Sequence, residues 1–178
     1  TLVKMYLGGE LGDKPSDVNA YAASTFYAVD RYASFKKHWE KEYNSEKIVV
    51  ANRYTTSNAS HQMTKLSEED WDSYLEWLFE FEYDKLGIPA PDLVIYLDMP
   101  VEISQKLLSK RYNGDENKKD VHERDVQYLI SCHKAALYAA EKLGWTVIRC
   151  GKDGEPLSLE EISDAVNDTV KRKLLNND

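Results

Sequence analysis

Residues 92–98 read DLVIYLD, and this nearly continuous apolar run decides the fold. Two shorter runs share its character, KIVVA at residues 47–51 and TVIRC at residues 146–150. Strands buried on both faces of a parallel sheet carry such unbroken apolar runs, whereas half-exposed strands alternate apolar and polar residues. The three runs therefore predict three strands of a parallel sheet.

Helical patterns separate the three predicted strands. We predict helices over residues 19–43, 67–86, 101–111, 121–143 and 158–175. The residues expected to begin or end them are Asn19, Ser67, Gly87, Gly144 and the capping box of Ser158 with Glu161. Strands that alternate with helices indicate an α/β fold, a parallel sheet flanked by helices. Three strands are few for so many helices, so we expect a further strand outside these residues.

The bulk composition suits one domain over residues 1–178. Of these residues 42% are hydrophobic, and 31 acidic against 23 basic residues give a net charge of −8. That charge argues against a nucleic-acid partner, and no apolar run is long enough to span a membrane. The cysteines, Cys132 and Cys150, have no metal-site spacing, which favours a reducing, cytoplasmic setting.

The first candidate ligand-binding segment follows the run at residues 47–51. Ligands of open α/β sheets bind beyond the carboxyl ends of the strands, where Arg53 is expected to lie. A guanidinium binds phosphate through two parallel hydrogen bonds, and Ser57, Asn58 and Gln62 offer groups that read a base edge. The alternative is an arginine that is merely exposed or paired with an acid.

A second candidate lies in the helix predicted over residues 19–43. Tyr27 and Arg31 are four residues apart and therefore share one helical face. An aromatic ring and a guanidinium at that spacing suit a nucleotide, the ring stacking on its base and the cation holding its phosphate. The alternative is that Tyr27 packs in the core while Arg31 pairs with Asp30 or a neighbouring acid.

Three motifs in this order resemble the signatures of thymidylate kinases. They are YAVDR at residues 27–31, NRY at residues 52–54 followed by Ser57 and Gln62, and PDLVIYLD at residues 91–98. The resemblance extends over nearly the whole chain. It implies a three-layer P-loop NTPase fold and transfer of the ATP γ-phosphoryl group to thymidine monophosphate (dTMP), with Mg²⁺ as cofactor and no protein-held metal site. It also implies a homodimer formed through the helices of the N-terminal region.

The resemblance implies a role for each matching residue on the acceptor side. Tyr27 matches the aromatic residue that stacks on thymine, and Arg31 and Arg53 match the arginines that hold the monophosphate. The residues that fall where the family contacts the base are Ser57, Asn58 and Gln62. Arg53 also counts among the expected catalytic residues.

On the donor side the resemblance places a mobile lid at about residues 111–121. Arg111, Lys118 and Lys119 are its candidate catalytic cations, and Glu123 matches an acid just after it. A closing lid brings charge onto the migrating phosphoryl group and excludes water. The alternative is an exposed loop with solvated lysines. The residues expected to bind ATP are Arg111, Cys150, Lys152 and Asp153, and of these residues 150–153 fall where the family has a loop near adenine.

Two features depart from the family pattern. Asn52 stands where the family usually has aspartate, so a negative charge beside Arg53 is lost. The chain also has no G-x-x-x-x-G-K-[ST] motif to cradle the phosphates, and the glycines at residues 8, 9 and 12 read as a surface turn. Because Thr1 is not methionine, we expect the P-loop strand upstream of it.

Three hypotheses follow for the function. The first is an ATP- and Mg²⁺-dependent thymidylate kinase. The second is a deoxynucleoside kinase or another nucleotide kinase of the same fold. The third is a catalytically silent nucleotide-binding paralogue, which Asn52 and the absent motif favour.

Overall fold

The computed structural model describes residues 1–12, 14–113 and 125–175. It divides the chain into two compact units, residues 1–90 and 91–178. Each unit buries apolar residues of its own, Met63 and Leu78 in the first and Ala135 and Ala139 in the second. One domain over residues 1–178 stays a prediction.

The described part of the first unit is helical. Its α-helices are α1 (Leu2–Leu7), α2 (Ala20–Ser34), α3 (Glu40–Asn44), α4 (Thr56–Gln62) and α5 (Trp71–Phe79). Wider π-helical turns join α2 to α3 at Phe35–Trp39 and extend α5 over Glu80–Lys85. Single 3₁₀ turns lie at Pro15–Asp17, Met63–Lys65 and Glu68–Asp70.

The long helix predicted from Asn19 is confirmed. Asn19 Oδ1 accepts a hydrogen bond from the Ala22 amide at 2.8 Å and so satisfies one of the free N–H groups at the start of α2. The helical path then continues through the π-helical turn to Asn44.

The helix predicted after Ser67 is also confirmed, although Ser67 does not cap a backbone amide. Its hydroxyl bonds Asp70 Oδ2 at 2.6 Å instead. The predicted apolar stripe is largely buried, with Trp71, Leu75 and Leu78 each at most 5% exposed. Gly87 ends the helical path at φ +70°, a left-handed conformation that strains any residue with a Cβ.

The strand predicted at residues 47–51 is wrong. These residues form no regular secondary structure, and the side chains of Ile48 and Val50 are 68% and 89% exposed. A strand exists only through hydrogen bonds to a neighbouring strand, and no such neighbour lies beside this run in the described parts of the chain. An apolar β-branched run favours the extended conformation only when a neighbouring strand is present to pair with it. Such a run therefore does not form a strand by itself.

The second unit contains a parallel strand pair. β1 (Ile95–Asp98) pairs with β2 (Thr146–Arg149), so that Ile95 lies opposite Thr146 and Asp98 opposite Arg149. The other two predicted strands, and their parallel arrangement, are therefore confirmed. Together with the helices, this pair makes the described chain an α/β protein.

Helices follow and separate these strands as predicted. They are α6 (Val101–Arg111), α7 (Val126–Leu143) and α8 (Leu159–Val170), the last extended by a π-helical turn over Lys171–Leu175. Gly144 ends α7 at φ +68°, and Ser158 and Glu161 cap α8 reciprocally. The predicted start of α7 at residues 121–124 lies outside the described residues.

A short hairpin at the end of β2 was not predicted. β3 (Gly151–Lys152) pairs with β4 (Glu155–Pro156) in antiparallel fashion. The two residues of its turn, Asp153 and Gly154, both have positive φ, as a tight two-residue hairpin turn requires. The Asp-Gly pair was the available signal for it.

None of the helices in the described parts of the chain combines the length and the apolar character that crossing a membrane requires.

Candidate functional site

The structure places Arg31 in an ion pair with a buried acid. Its Nε donates to Glu82 Oε2 at 2.7 Å and its Nη2 to Glu82 Oε1 at 3.3 Å. The Glu82 side chain is fully buried and that of Arg31 is 15% exposed. The acid-paired alternative for Arg31 therefore holds, but with a partner 51 residues away rather than Asp30. Within the described residues, two of the five guanidinium N–H groups donate to Glu82.

Asn58 meets the same carboxylate from the first turn of α4. Its Nδ2 donates to Glu82 Oε1 at 3.1 Å and to the Ser24 carbonyl oxygen at 3.3 Å. Asn58 is 2% exposed, so its amide is held firmly in one place. Two residues that the sequence assigned to one substrate, Arg31 and Asn58, thus converge on Glu82.

Sequence reasoning missed Glu82, although a signal was present. Glu82 follows Leu75 by seven residues and Leu78 by four, which is the spacing of one helical face. Burying an acid on the apolar face of a helix is energetically unfavourable, so an acid at such a position indicates a candidate functional residue.

Tyr54, the last residue of the NRY motif, is a second residue of this cluster to which sequence reasoning gave no role. Arg31 Cζ lies 5.4 Å from the centre of its ring, which is within the range of a cation–π contact. The Tyr54 hydroxyl donates to the Pro89 carbonyl oxygen at 2.8 Å, and burial raises the pKa of that hydroxyl. The ring is therefore a fixed platform beneath the guanidinium.

Tyr27 is half-buried beside α1. Its ring meets that of Tyr6 edge to face, with centroids 6.2 Å apart and planes at 88°. Tyr6 in turn accepts a hydrogen bond from Lys65 Nζ at 3.0 Å. The predicted stacking residue is thus braced by the first helix of the chain.

Arg53 has an unusual backbone. Its φ is +69°, in the left-handed region that costs a non-glycine residue about 1 kcal/mol or more. The side chain is exposed, and its Nε donates to Ser57 Oγ at 3.1 Å. Within the described residues Arg53 forms no ion pair, so its charge is available to an anion.

Gln62 is 3% exposed at the last residue of α4. Its Oε1 is buried and has no hydrogen-bond partner among the residues that the structure describes. A buried acceptor without a partner is unfavourable and is usually satisfied by water or a ligand. All three predicted base-contacting residues, Ser57, Asn58 and Gln62, lie on α4.

The predicted donor-side residues belong to the second unit. Arg111 is the exposed last residue of α6, and Lys152 and Asp153 are exposed in the β3–β4 hairpin. Cys150 is buried, and its thiol donates to the Ile148 carbonyl oxygen at 3.3 Å. Burial raises the pKa of that thiol. Because the Cys150 side chain is buried, we expect any contact of this residue with a nucleotide to be made by its main chain.

Three more residues of the predicted donor side, Lys118, Lys119 and Glu123, lie outside the described residues. Among the residues that are described, no group of three or more His, Cys, Asp or Glu side chains is arranged to hold a metal ion.

One further polar contact lies at the carboxyl end of β1. His133 Nε2 is 2.6 Å from Asp98 Oδ1, which joins α7 to the strand. Sequence reasoning did not predict this pair because the two residues are 35 positions apart.

Comparisons with known proteins bear on the family. The family model of thymidylate kinase matches residues 9–158, a span that includes every predicted site residue from Tyr27 to Asp153. The thymidylate kinase of Mycobacterium tuberculosis is 29% identical over 154 residues, covering 84% of this chain and 70% of that protein. The probable thymidylate kinase 1 of Saccharolobus solfataricus is 22% identical over 116 residues, covering 65% of this chain and 56% of that protein.

Proposed function

The chain belongs to the thymidylate kinase family of P-loop nucleoside-monophosphate kinases, and on that premise we propose that the protein phosphorylates dTMP to dTDP with ATP as donor. The structural observation that supports the acceptor assignment most is the convergence of Arg31 and Asn58 on Glu82. Residues distant in sequence, which the sequence analysis assigned to one ligand, are held together by one buried carboxylate.

Thymine is recognised in this proposal by the amide of Asn58. Both Nδ2 hydrogens are taken by Ser24 and Glu82, so Oδ1 is the atom of this amide that accepts from a ligand. Thymine carries a donor at N3, whereas cytosine carries an acceptor there. An acceptor on the protein therefore favours dTMP over dCMP, because cytosine N3 would leave two acceptors facing each other. Ser57 and Gln62 supply the neighbouring polar groups.

The monophosphate is bound by the two arginines. Arg53 contributes an exposed cation without an ion pair among the described residues, and Arg31 contributes the donors that Glu82 leaves free. Tyr27 stacks on the base from α2. Positioning and charge neutralisation are the main demands of phosphoryl transfer, and these residues meet both on the acceptor side.

The donor side of the proposal rests on the family. Arg111, Lys118 and Lys119 are proposed as lid cations, Glu123 as a substrate contact, and Cys150, Lys152 and Asp153 as neighbours of adenine. Mg²⁺ ordinarily reaches kinases with the phosphates of ATP and is held by only one or two carboxylates. The described residues contain no group of three or more His, Cys, Asp or Glu side chains arranged to hold a metal ion, and in this proposal Mg²⁺ arrives with ATP.

A thermal-shift titration tests the proposal. We expect dTMP to raise the Tm of the protein more than dCMP or AMP at equal concentration, because a ligand that binds only the folded state stabilises it by mass action. Equal shifts for the three nucleotides would contradict the thymine assignment.

A catalytically silent paralogue is the second candidate. Asn52, exposed beside Arg53, supports it, since the carboxylate usual in the family is missing. A coupled ADP-release assay separates the two. Turnover of dTMP supports the kinase, whereas dTMP binding without ADP release supports the silent paralogue. Release of ADP with thymidine instead of dTMP would indicate a deoxynucleoside kinase.

We also propose a cytoplasmic homodimer that pairs through α2. Three of its apolar side chains, Tyr21, Val29 and Tyr32, are between 39% and 50% exposed. Light scattering at micromolar concentration is expected to give twice the chain mass, and a monomer would contradict the proposal.

A further inference from the structure

Glu82 lies where a carboxylate is unfavourable. Its side chain is fully buried in the π-helical turn Glu80–Lys85. A buried charge requires a partner, and an apolar residue at such a position often serves stability equally well. The carboxylate therefore calls for an explanation beyond folding.

The donors that bond the Glu82 carboxylate lie on two neighbouring helices. Arg31 reaches both oxygens, with the shorter bond to Oε2 at 2.7 Å, and Asn58 Nδ2 reaches Oε1 at 3.1 Å. Arg31 belongs to α2 and Asn58 to α4. One side chain thus fixes residues from two helices.

The contacts of Asn58 determine which way its amide faces. The Ser24 carbonyl oxygen and Glu82 Oε1 are both acceptors, so the amide nitrogen must lie toward them. The Asn58 Oδ1 atom consequently faces away from both. Orientation of an amide matters for recognition because its two ends present opposite hydrogen-bonding groups.

We propose that Glu82 is a positioning residue that sets nucleobase selectivity, by holding the Asn58 amide with its oxygen toward the base. The inference rests on the proposed function, because it assumes that Asn58 faces the base of the bound monophosphate. It adds a residue that never touches the ligand and yet decides which base is accepted.

Glu82→Gln tests this directly. A glutamine has one oxygen, and the strong Arg31 donor takes it at the position of Oε2. The glutamine NH₂ group then occupies the position of Oε1 and faces Asn58 Nδ2, donor against donor. Asn58 Nδ2 then keeps only the Ser24 carbonyl oxygen as its acceptor, so the amide is no longer fixed in one orientation, and the flipped orientation presents the Asn58 NH₂ group to the base. That arrangement suits cytosine N3 and opposes thymine N3–H.

The measurement is the ratio of Kd for dCMP to Kd for dTMP, by isothermal titration calorimetry. We expect Glu82→Gln to lower this ratio by roughly tenfold or more, the value of one hydrogen bond exchanged for a mismatch. If the role of Glu82 were purely structural, the variant would bind both nucleotides more weakly by the same factor. The ratio of the two Kd values would then be unchanged, and this result would overturn the proposal. Glu80→Gln is the matched control in the same turn, because Glu80 is exposed and pairs with the exposed Lys85, and its ratio is expected to equal that of the wild type.

A measurement on the wild-type protein keeps the proposal testable if Glu82→Gln does not fold. Both side-chain NH₂ protons of Asn58 are expected to exchange slowly with solvent in NMR spectra, with and without dTMP, since Ser24 and Glu82 hold them. Fast exchange of either proton would overturn the proposal. Failure of the wild-type protein to bind dTMP at all would instead refute the proposed function, so the two failures are distinguishable.

Discussion

The ion pair of Arg31 and Glu82 makes a sharp prediction about stability. Arg31→Met removes the guanidinium while keeping an unbranched side chain, and it leaves Glu82 with the Asn58 amide as its remaining side-chain partner among the described residues. Because the Glu82 side chain is fully buried, water cannot replace the lost cation. We therefore expect Arg31→Met to destabilise the protein strongly.

The magnitude follows from burial of the two partners. Removing one partner of a buried pair costs about 3–5 kcal/mol, and the remaining Asn58 bond places this case near 3 kcal/mol. Glu82→Met is expected to cost only about 1 kcal/mol, because one Asn58 hydrogen loses its acceptor while Arg31, which is 15% exposed, can turn to water. The double variant is expected to cost about 1 kcal/mol as well, because one Asn58 hydrogen then lacks an acceptor. The coupling energy between the two positions is thus about 3 kcal/mol.

Urea unfolding followed by tryptophan fluorescence measures all four proteins, with Trp71 and Trp77 of α5 as reporters. Glu80 and Lys85 provide a matched control cycle. They form an ion pair at 2.9 Å in the same turn, but both side chains are more than half exposed. Their double variant is expected to show no coupling, because exposed pairs contribute little.

One result would refute the reasoning. The result would be additive losses of stability: the double variant would lose as much free energy of unfolding as Arg31→Met and Glu82→Met together, as expected for the exposed control pair. Arg31 would then not compensate the charge of Glu82. In that case the buried carboxylate would need another explanation.

Four further predictions concern single residues. Burial lowers the pKa of Lys65 from 10.5 to about 8, so between pH 8 and 10.5 the unfolded chain holds a proton that the folded protein has released. Stability should therefore rise with pH in that range relative to Lys65→Met, and parallel pH profiles of the urea midpoint would contradict this. Arg53→Gly should stabilise the protein by about 1 kcal/mol, because glycine adopts φ +69° without strain. It should also weaken dTMP binding while leaving thymidine binding unchanged in calorimetry, and equal losses for both ligands would argue against a phosphate contact. Gly87→Ala should cost about 1–2 kcal/mol in urea unfolding, from the left-handed backbone alone, since no atom lies within 4 Å of the added Cβ. Asn52→Asp should raise kcat for dTMP in the ADP-release assay, and an unchanged kcat would show that the missing charge is not limiting.

The elements that were predictable from sequence depend on local chemistry. Asn19, Gly144 and the Ser158–Glu161 pair all begin or end helices as expected, because a cap involves residues within a few positions of each other. The runs at residues 92–98 and 146–150 became strands because each finds the other within the described chain. The run at residues 47–51 is as apolar as these two, yet it has no such partner among the described residues and forms no strand.

The candidate site was predictable only in part, for the same reason. The resemblance indicated Tyr27, Arg31, Arg53 and Asn58 as site residues. Glu82, which joins Arg31 to Asn58, lies outside the motifs that carry the resemblance. Glu82 is 51 residues from Arg31 and 24 from Asn58, and nothing local in the sequence connects these positions. Its presence on an apolar helical face was visible, whereas its partners became known only from the fold.

Two departures from what folding alone would select support the location of the acceptor site. Glu82 buries a charge, and Arg53 adopts a backbone conformation that costs about 1 kcal/mol or more in a residue with a side chain. Natural proteins retain such locally unfavourable features chiefly at functional sites. Arg53 and Tyr54 are consecutive, and Tyr54 lies beneath the guanidinium that Glu82 holds. The two unfavourable features therefore meet in one small region of the first unit. That convergence is independent of family resemblance, since it depends only on burial and backbone geometry, and it favours the same residues for the proposed acceptor site.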